Sequence, residues 1–347
     1  MKFNRSRICS LSLLVLSGAM AFAADHQRAP GDSKLIAPVP FPGYPEGIVV
    51  HEGVAYVSGP AAFGVPGNFV PSTIFGFDIN TGALLKTITV QNQTGPLNAL
   101  SCIAVDENDN LYVLDEGQGV VKISLKTGQQ SVYAAPFFPV YHSNFNPPAP
   151  VLLNDLAFDK QGRLYVTDSF QATIWRVPAG GGAPQVWFQN AQLDGPFGPN
   201  GIRISPDGGT VYFTQTFNAQ GGGIVYTLPV KDNPQPADLK VFHTYTAGAG
   251  PDGIAFGKSG KLYVALAGYS QISVLAANGA ETALYSGPAQ GLQWANPANI
   301  AFDGHGALLV TNHASLTGLP DPSPLFAIFD VFVDDKAGKL FQEFDDK

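Results

Sequence analysis

The chain has 347 residues, two cysteines and a formal net charge of −8. An acidic balance with no basic tract excludes nucleic acid and anionic lipid surfaces as expected partners. The one long apolar run, 8–23, is shorter than the ~20 residues of a membrane-spanning helix and no later stretch comes close, so no membrane partner is expected.

In chain order, Lys2, Arg5 and Arg7 precede an apolar run from Ile8 to Ala23 that ends in Ala21-Phe22-Ala23. This is the pattern of a signal peptide over 1–23, cut before Ala24, and it predicts an exported protein, periplasmic or extracellular. Its removal takes three positive charges and Cys9, leaving a net charge of −11 and one cysteine. Cys102, in an apolar strand, then has no internal disulfide partner and is expected to be buried as a small hydrophobe. The remaining length, 24–347, fits a single closed β domain. Within it, Ala24–Pro42 is a polar, proline-bearing lead-in in which "KLIAPV" can pair as a strand.

A unit of strand, short turn and strand then recurs six times. It begins at Glu46, Ser101, Asn154, Asn200, Asp252 and Ala298; the version at Asn154 reads "NDLAFDKQGRLYVTD". β-branched and aromatic residues form the strands, and Asp, Gly and Lys punctuate them. The first apolar residues, Ile48, Ile103, Leu156, Ile202, Ile254 and Ile300, recur every 46–55 residues. Each unit is followed by further apolar segments, giving about four strands, the size of a propeller blade. The expected fold is an all-β, six-bladed β-propeller of antiparallel blades. Blade six is read as ending in "LFAIFDVFV" and "KLFQEF", with "KLIAPV" as the other strand able to seal the ring.

The turns between first and second strands are all short. The long connections are Gly59–Ser72, Pro136–Pro150, Asn190–Pro199, Gln215–Gly223 and His313–Pro324, and antiparallel geometry puts them on the face where the units begin. On that face the first residues of the units should ring the channel. Glu46, Asn154, Asn200 and Asp252 supply two carboxylates and two amides from four blades. An all-oxygen set of that charge suits a hard cation, Ca2+ first, with Mg2+ or Mn2+ also able to fit, whereas Zn2+ would recruit His or Cys. The alternative on spacing alone is that these side chains cap the blade starts and satisfy the channel wall.

"PEG" at Pro45–Gly47, "LLND" at Leu152–Asp155, "GPNGIRISPDGGTVYFT" at Gly198–Thr214 and "GPDGIAFGKSGKLYVA" at Gly250–Ala265 resemble the senescence-marker-protein/gluconolactonase/luciferin-regenerating-enzyme family, akin to the paraoxonases. The resemblance covers the whole predicted mature chain. It implies a metal, usually calcium, held at the channel mouth by Glu46, Asn154, Asn200 and Asp252, with Asp252 also the proton donor or acceptor. Sugar-lactone members carry an Arg where this chain has Leu152, and the preceding loop offers Phe137, Phe138, Tyr141 and Phe145. A less polar lactone or ester is therefore the expected small-molecule substrate.

The expected chemistry is metal-assisted hydrolysis, with Asp252 or Asp155 taking or relaying the proton. Strand alternation should turn Asp155 away from the axis into a structural hydrogen bond. His142 and His313 lie on the same face and are candidate general bases; Asn299 could line the channel. No GxSxG elbow is present, so a serine hydrolase has no support. The competing readings are a non-catalytic binding propeller with a structural calcium and a strictosidine-synthase-like enzyme.

Overall fold

The computed structural model describes residues 28–62, 71–94, 98–288 and 291–342; the expected signal peptide and Cys9 lie outside them. These residues form strands with a few 3-10 turns and no α-helix, and no helix among them is long and apolar enough to cross a membrane. The strands are β1 (Ser33–Pro38), β2 (Ile48–His51), β3 (Val54–Gly59), β4 (Thr73–Asp78), β5 (Leu84–Thr89), β6 (Leu100–Val105), β7 (Asn110–Asp115), β8 (Gly119–Ser124), β9 (Gln130–Ala134), β10 (Leu153–Phe158), β11 (Leu164–Asp168) and β12 (Thr173–Val177). They continue as β13 (Gln185–Gln189), β14 (Phe197–Ile204), β15 (Thr210–Phe217), β16 (Gly222–Pro229), β17 (Lys240–Ala247), β18 (Pro251–Phe256), β19 (Leu262–Leu266), β20 (Gln271–Leu275), β21 (Glu281–Ser286), β22 (Pro297–Phe302), β23 (Ala307–Asn312) and β24 (Ala327–Phe332).

Six four-stranded antiparallel sheets result, the six blades of a β-propeller. Five use four consecutive strands, β2 to β5 first. The inner strands are apolar on both faces because each blade packs between two others. β10 and β11 are buried at every position, whereas the outermost β5 is largely exposed. Tyr112 from blade two meets Phe158 of blade three edge-on at 5.0 Å, and Tyr263 of blade five meets Phe302 of blade six at 5.5 Å. Each such ring buries enough apolar area to contribute about 2 kcal/mol. Asp side chains fix the short turns: Asp159 Oδ1 accepts from the backbone N–H of Gln161 and Arg163 at 2.9 and 3.0 Å.

Blade six is closed by the N-terminal segment. Its order is β1-β24-β23-β22, with Ser33 opposite Val331 and Pro38 opposite Ala327. "KLIAPV" is thus the sealing strand, and the described part of "KLFQEF", 339–342, is not the last strand of blade six. The reason is that β1 already occupies the outer edge of β24, and the chain turns inward at Asp334, whose φ is +52°. The C-terminal segment then crosses the far end of the channel, where Ala337 bridges Gly257 and Phe341 bridges Phe158.

One departure from regular strands positions the site. In five blades the pairing of first and second strands slips by a bulge after its first residue pair, between Leu100 and Ile103, Leu153 and Leu156, Pro199 and Ile202, Pro251 and Ile254, and Pro297 and Ile300. A bulge frees two residues from the ladder and re-aims their side chains. The freed pairs are Ser101-Cys102, Asn154-Asp155, Asn200-Gly201, Asp252-Gly253 and Ala298-Asn299.

Candidate active site at the channel mouth

The five bulged pairs, together with Glu46-Gly47 of the unbulged blade one, build the channel in two tiers. The upper tier, Glu46, Ser101, Asn154, Asn200, Asp252 and Ala298, lines one cavity of about 300 Å3 that opens on the face of the long connections. The structure therefore brings together all four residues singled out as ligands. Glu46, Asn154, Asn200 and Asp252 are each at least nine-tenths buried. Asn154 Oδ1, Asn200 Oδ1 and Asp252 Oδ1 are buried without a hydrogen-bond partner among the described residues. Native proteins rarely leave such groups unpaired. Asn200 is oriented by its amide, which donates to Thr216 Oγ1 at 2.9 Å and leaves its oxygen free. Three orphaned oxygens and the Glu46 carboxyl in one pocket, with no Lys or Arg in the lining, fit a hard cation.

Electrostatics point the same way. Burial pushes the Glu46 carboxyl up, and the charge of Asp155 adds to it. Asp252 is raised well above the carboxylate range by burial, then by Glu46 and Asp155. A positive charge between them reverses both effects.

The lower tier comprises Gly47, Cys102, Asp155, Gly201, Gly253 and Asn299. Strand alternation fails here because of the bulge, and Asp155 does not turn outward. Its Oδ2 accepts from Arg203 Nη1 at 2.7 Å and from the Ile202 N–H at 3.0 Å, and its Oδ1 accepts from the Leu156 N–H at 2.8 Å. Both carboxylate oxygens are thus engaged. Arg203 also reaches Asn299 Oδ1 at 3.4 Å, and Asn299 Nδ2 lies 2.8 Å from Cys102 Sγ. Cys102 is buried as expected, and burial pushes its thiol up. Gly201 and Gly253 complete the tier because side chains do not fit: a Cβ on Gly201 would stand 2.3 Å from the Asp252 carbonyl oxygen, and one on Gly253 2.6 Å from Asn299 Oδ1. Close approach of neighbouring backbones accounts for the Asn-Gly and Asp-Gly blade starts.

Hydroxyls pin these starts across blade boundaries. Ser58, Thr167, Thr214 and Thr311, near the ends of second strands, donate to the carbonyls of Ser101, Asn200, Asp252 and Glu46 at 2.5, 2.6, 2.9 and 2.7 Å. Three of the four candidate ligands have their backbone held this way.

The two histidines separate. His313 is buried in the cavity wall, 3.6 Å from Glu46 Oε2. Its Nε2 donates to the Ala61 carbonyl at 2.9 Å and its Nδ1 accepts from Ser315 Oγ at 2.8 Å. Burial lowers its pKa to about 4, so the imidazole is neutral. His142 is exposed and does not line the cavity. The aromatic wall is also displaced from its expected place. Phe138 and Phe145 are exposed, and Phe137 packs edge-on to Trp175 at 5.5 Å. Leu152 does line the cavity, joined by Phe170, Phe197, Phe217 and Leu316. Phe170 follows a second strand, whereas Phe197 and Phe217 lie within the Asn190–Pro199 and Gln215–Gly223 connections that the sequence already places on this face.

Glu116 was also not evident from the sequence. It follows β7, lines the cavity, and has a buried Oε2 without a partner among the described residues. The signal was available: it occupies in blade two the place that His313 occupies in blade six.

Residues 72–314 match the family described as the SMP-30/Gluconolactonase/LRE-like region. Among solved structures, the chain is similar to regucalcin, a calcium-binding protein from Agrobacterium tumefaciens, with a TM-score of 0.66 and 17% identity over 91% of this chain and 98% of that one. It is similar to a gluconolactonase from Xanthomonas campestris, with a TM-score of 0.59 and 16% identity over 88% and 90%. A luciferin-regenerating enzyme gives a TM-score of 0.59 and 14% identity over 86% and 94%. A search of curated protein sequences gave no significant match. At these identities the structural likenesses carry the fold, and the match across 72–314 carries the family: the chain belongs to the SMP-30/gluconolactonase/LRE-like family.

Proposed function

We propose that this protein is an exported, calcium-dependent hydrolase of an apolar lactone or ester. The observation that carries the reading is the set of unpaired buried oxygens on Asn154, Asn200 and Asp252, beside Glu46, at the base of an otherwise apolar cavity. Family membership and the calcium-binding and gluconolactonase neighbours support it. A hard divalent cation held by those four residues supplies positive charge that polarises an ester carbonyl and stabilises the charge developing on its oxygen.

The chain's own groups divide the remaining work. Asp252, whose carboxyl lines the cavity beside Glu46, would accept a proton from an attacking water and return it to the leaving oxygen. Asp155 has both oxygens engaged, so its part is to hold Arg203 and the Ile202 backbone beneath the site. His313 has both nitrogens engaged and ties the Ala61 and Ser315 connections to the channel rim. His142, exposed and away from the cavity, has no part in the reaction. Leu152, Phe170, Phe197 and Phe217 exclude water and bind an apolar body, which disfavours a polyhydroxylated lactone.

The test is a screen of the purified mature protein against alkyl lactones and aryl esters, with calcium and with chelator. Turnover that disappears with chelator and returns with calcium supports the hydrolase. If no substrate turns over while chelator only lowers the melting temperature, the reading fails in favour of a binding propeller with a structural ion.

A further inference from the structure

Above the ligand tier lies another, formed by the residues that end the second strands. The register sets Asp115 opposite Leu100, Asp168 opposite Leu153, Gln215 opposite Pro199, Leu266 opposite Pro251 and Asn312 opposite Pro297. The next residues are Glu116, Ser169, Thr216, Ala267 and His313, and all but Ser169 line the cavity. Two of the polar members are already committed. Thr216 Oγ1 accepts from Asn200, and both nitrogens of His313 are engaged. Glu116 differs. The Leu153 backbone favours its ionised form, but Oε2 is buried with no partner among the described residues.

The surroundings of Glu116 do not supply that partner. Ala99, Leu100, Leu152 and Leu153 form the adjacent wall, and no Lys or Arg lines the cavity. The charged groups facing it are Asp168 and Asp115, both acidic; with burial as the larger cause, they push its carboxyl well up. Asp168 is committed to the Leu152 N–H and the Trp175 indole, and Asp115 to Gln93 and Gln118. A carboxyl held in an apolar wall above the ligand tier, with one buried oxygen unpaired, lacks a polar partner that a bound molecule can supply.

We propose that Glu116 is a specificity-determining residue: it receives a hydrogen-bond donor, a hydroxyl or an ammonium, carried by an otherwise apolar lactone or ester substrate. The inference rests on the hydrolase reading above and deepens it. A pocket that binds a donor through a buried carboxyl discriminates strongly against the analogue lacking it, because the carboxyl is then left unpaired. The ionised carboxylate receives either donor, whereas the protonated form pairs only with the hydroxyl.

The experiment compares matched lactones that differ only by a hydroxyl or an amino group on the apolar body. It uses the calcium-loaded protein and its Glu116→Gln and Glu116→Leu variants. Matched lactams, which are not turned over, are titrated in parallel by calorimetry. The wild-type protein should favour one donor-bearing member by at least about tenfold in kcat/KM, chiefly through KM, and by a similar factor in lactam binding. Glu116→Leu should erase the preference. Glu116→Gln, which keeps an acceptor oxygen and the shape, should retain a hydroxyl preference and lose an amino one. Calcium affinity should be the same in all three. No preference in the wild-type protein, or a preference that survives Glu116→Leu, overturns the proposal, as does a variant that weakens calcium binding. If no lactone turns over, the hydrolase reading fails, and lactam binding still decides whether Glu116 selects donors.

Discussion

Thr311 Oγ1 donates to the Glu46 carbonyl oxygen at 2.7 Å, joining residues 265 positions apart and tying blade six to blade one. The same hydroxyl accepts the Asn299 N–H at 2.9 Å, so it pins both a bulge and a candidate ligand. Replacement by the near-isosteric valine leaves that N–H unpaired in the channel wall. We expect Thr311→Val to lower stability by about 1–3 kcal/mol and calcium affinity by roughly 10–100-fold, as for outer residues that orient ligands. Isothermal titration of the folded variant measures this. Wild-type affinity in Thr311→Val would remove the hydroxyl from the account of the site.

On the proposed reading, the unpaired oxygens make the site unstable without a cation. Asn154→Leu removes one of them without breaking a side-chain hydrogen bond among the described residues, so it should abolish tight calcium binding yet melt no lower than wild type in chelator. The carboxyls add a pH dependence. Burial raises Glu46 to about 8 and Asp252 well above its ordinary value. A raised carboxyl pKa contributes stability that is complete below the unfolded value near 4 and is lost as pH rises through the folded value. In chelator these two carboxyls should therefore lower the melting temperature progressively as pH rises from about 4.5 to about 8, and calcium should suppress the fall. A chelated protein whose melting is flat across that range would contradict the electrostatic picture.

Much of this was legible in the chain because the blade is a local unit. Alternating apolar residues, Asp- and Gly-bearing turns and a recurring first residue mark each blade, and Glu46, Asn154, Asn200 and Asp252 stand at corresponding places. What was hidden depends on contacts distant in sequence or on broken periodicity. The bulges reverse the expected direction of Asp155, which instead meets Arg203. Phe197 and Phe217 reach the cavity from connections that were recognised as long, but the aromatic residues expected to form its wall, Phe138 and Phe145, face solvent. Both "KLIAPV" and "KLFQEF" read as strands, and only pairing with β24 distinguishes them.

The C-terminal segment supplies a second long-range substitution. In blades two and three, Asp106 and Asp159 accept from the hydroxyls of Tyr112 and Tyr165 at 2.9 and 3.1 Å. Blade five has Gly257 at that place, and Asp335 reaches in from the C-terminal segment to accept from Tyr263 at 3.1 Å. It also accepts from the Ser259 hydroxyl. A Cβ on Gly257 would stand 2.1 Å from Asp335 Oδ2, so both carboxylates cannot be present. We expect Asp335→Ala to cost about 1–3 kcal/mol in urea unfolding and to free the C-terminal segment in hydrogen exchange. Gly257→Asp alone should be more damaging, and Gly257→Asp with Asp335→Gly should recover much of the loss. If the double variant is no better than Gly257→Asp alone, the two positions are not interchangeable.

His313 offers a direct spectroscopic test of the cavity. Burial lowers its pKa to about 4, against a small opposing contribution from the Ala61 carbonyl. The folded state therefore favours the neutral ring, and the associated stability is present above about pH 6.5 and lost as pH falls toward 4. A shift of that size corresponds to about 3 kcal/mol. Long-range 1H–15N spectra should show one imidazole in the Nε2–H form that does not titrate between about pH 8 and 5, because Nε2 donates to Ala61 and Nδ1 accepts from Ser315. His313→Gln should show a smaller loss of melting temperature on acidification than the wild-type protein, since no buried ring then has to be charged. An imidazole at position 313 titrating with a midpoint near 6.5 would mean that the ring is solvated, and would restore His313 as a candidate base for the reaction.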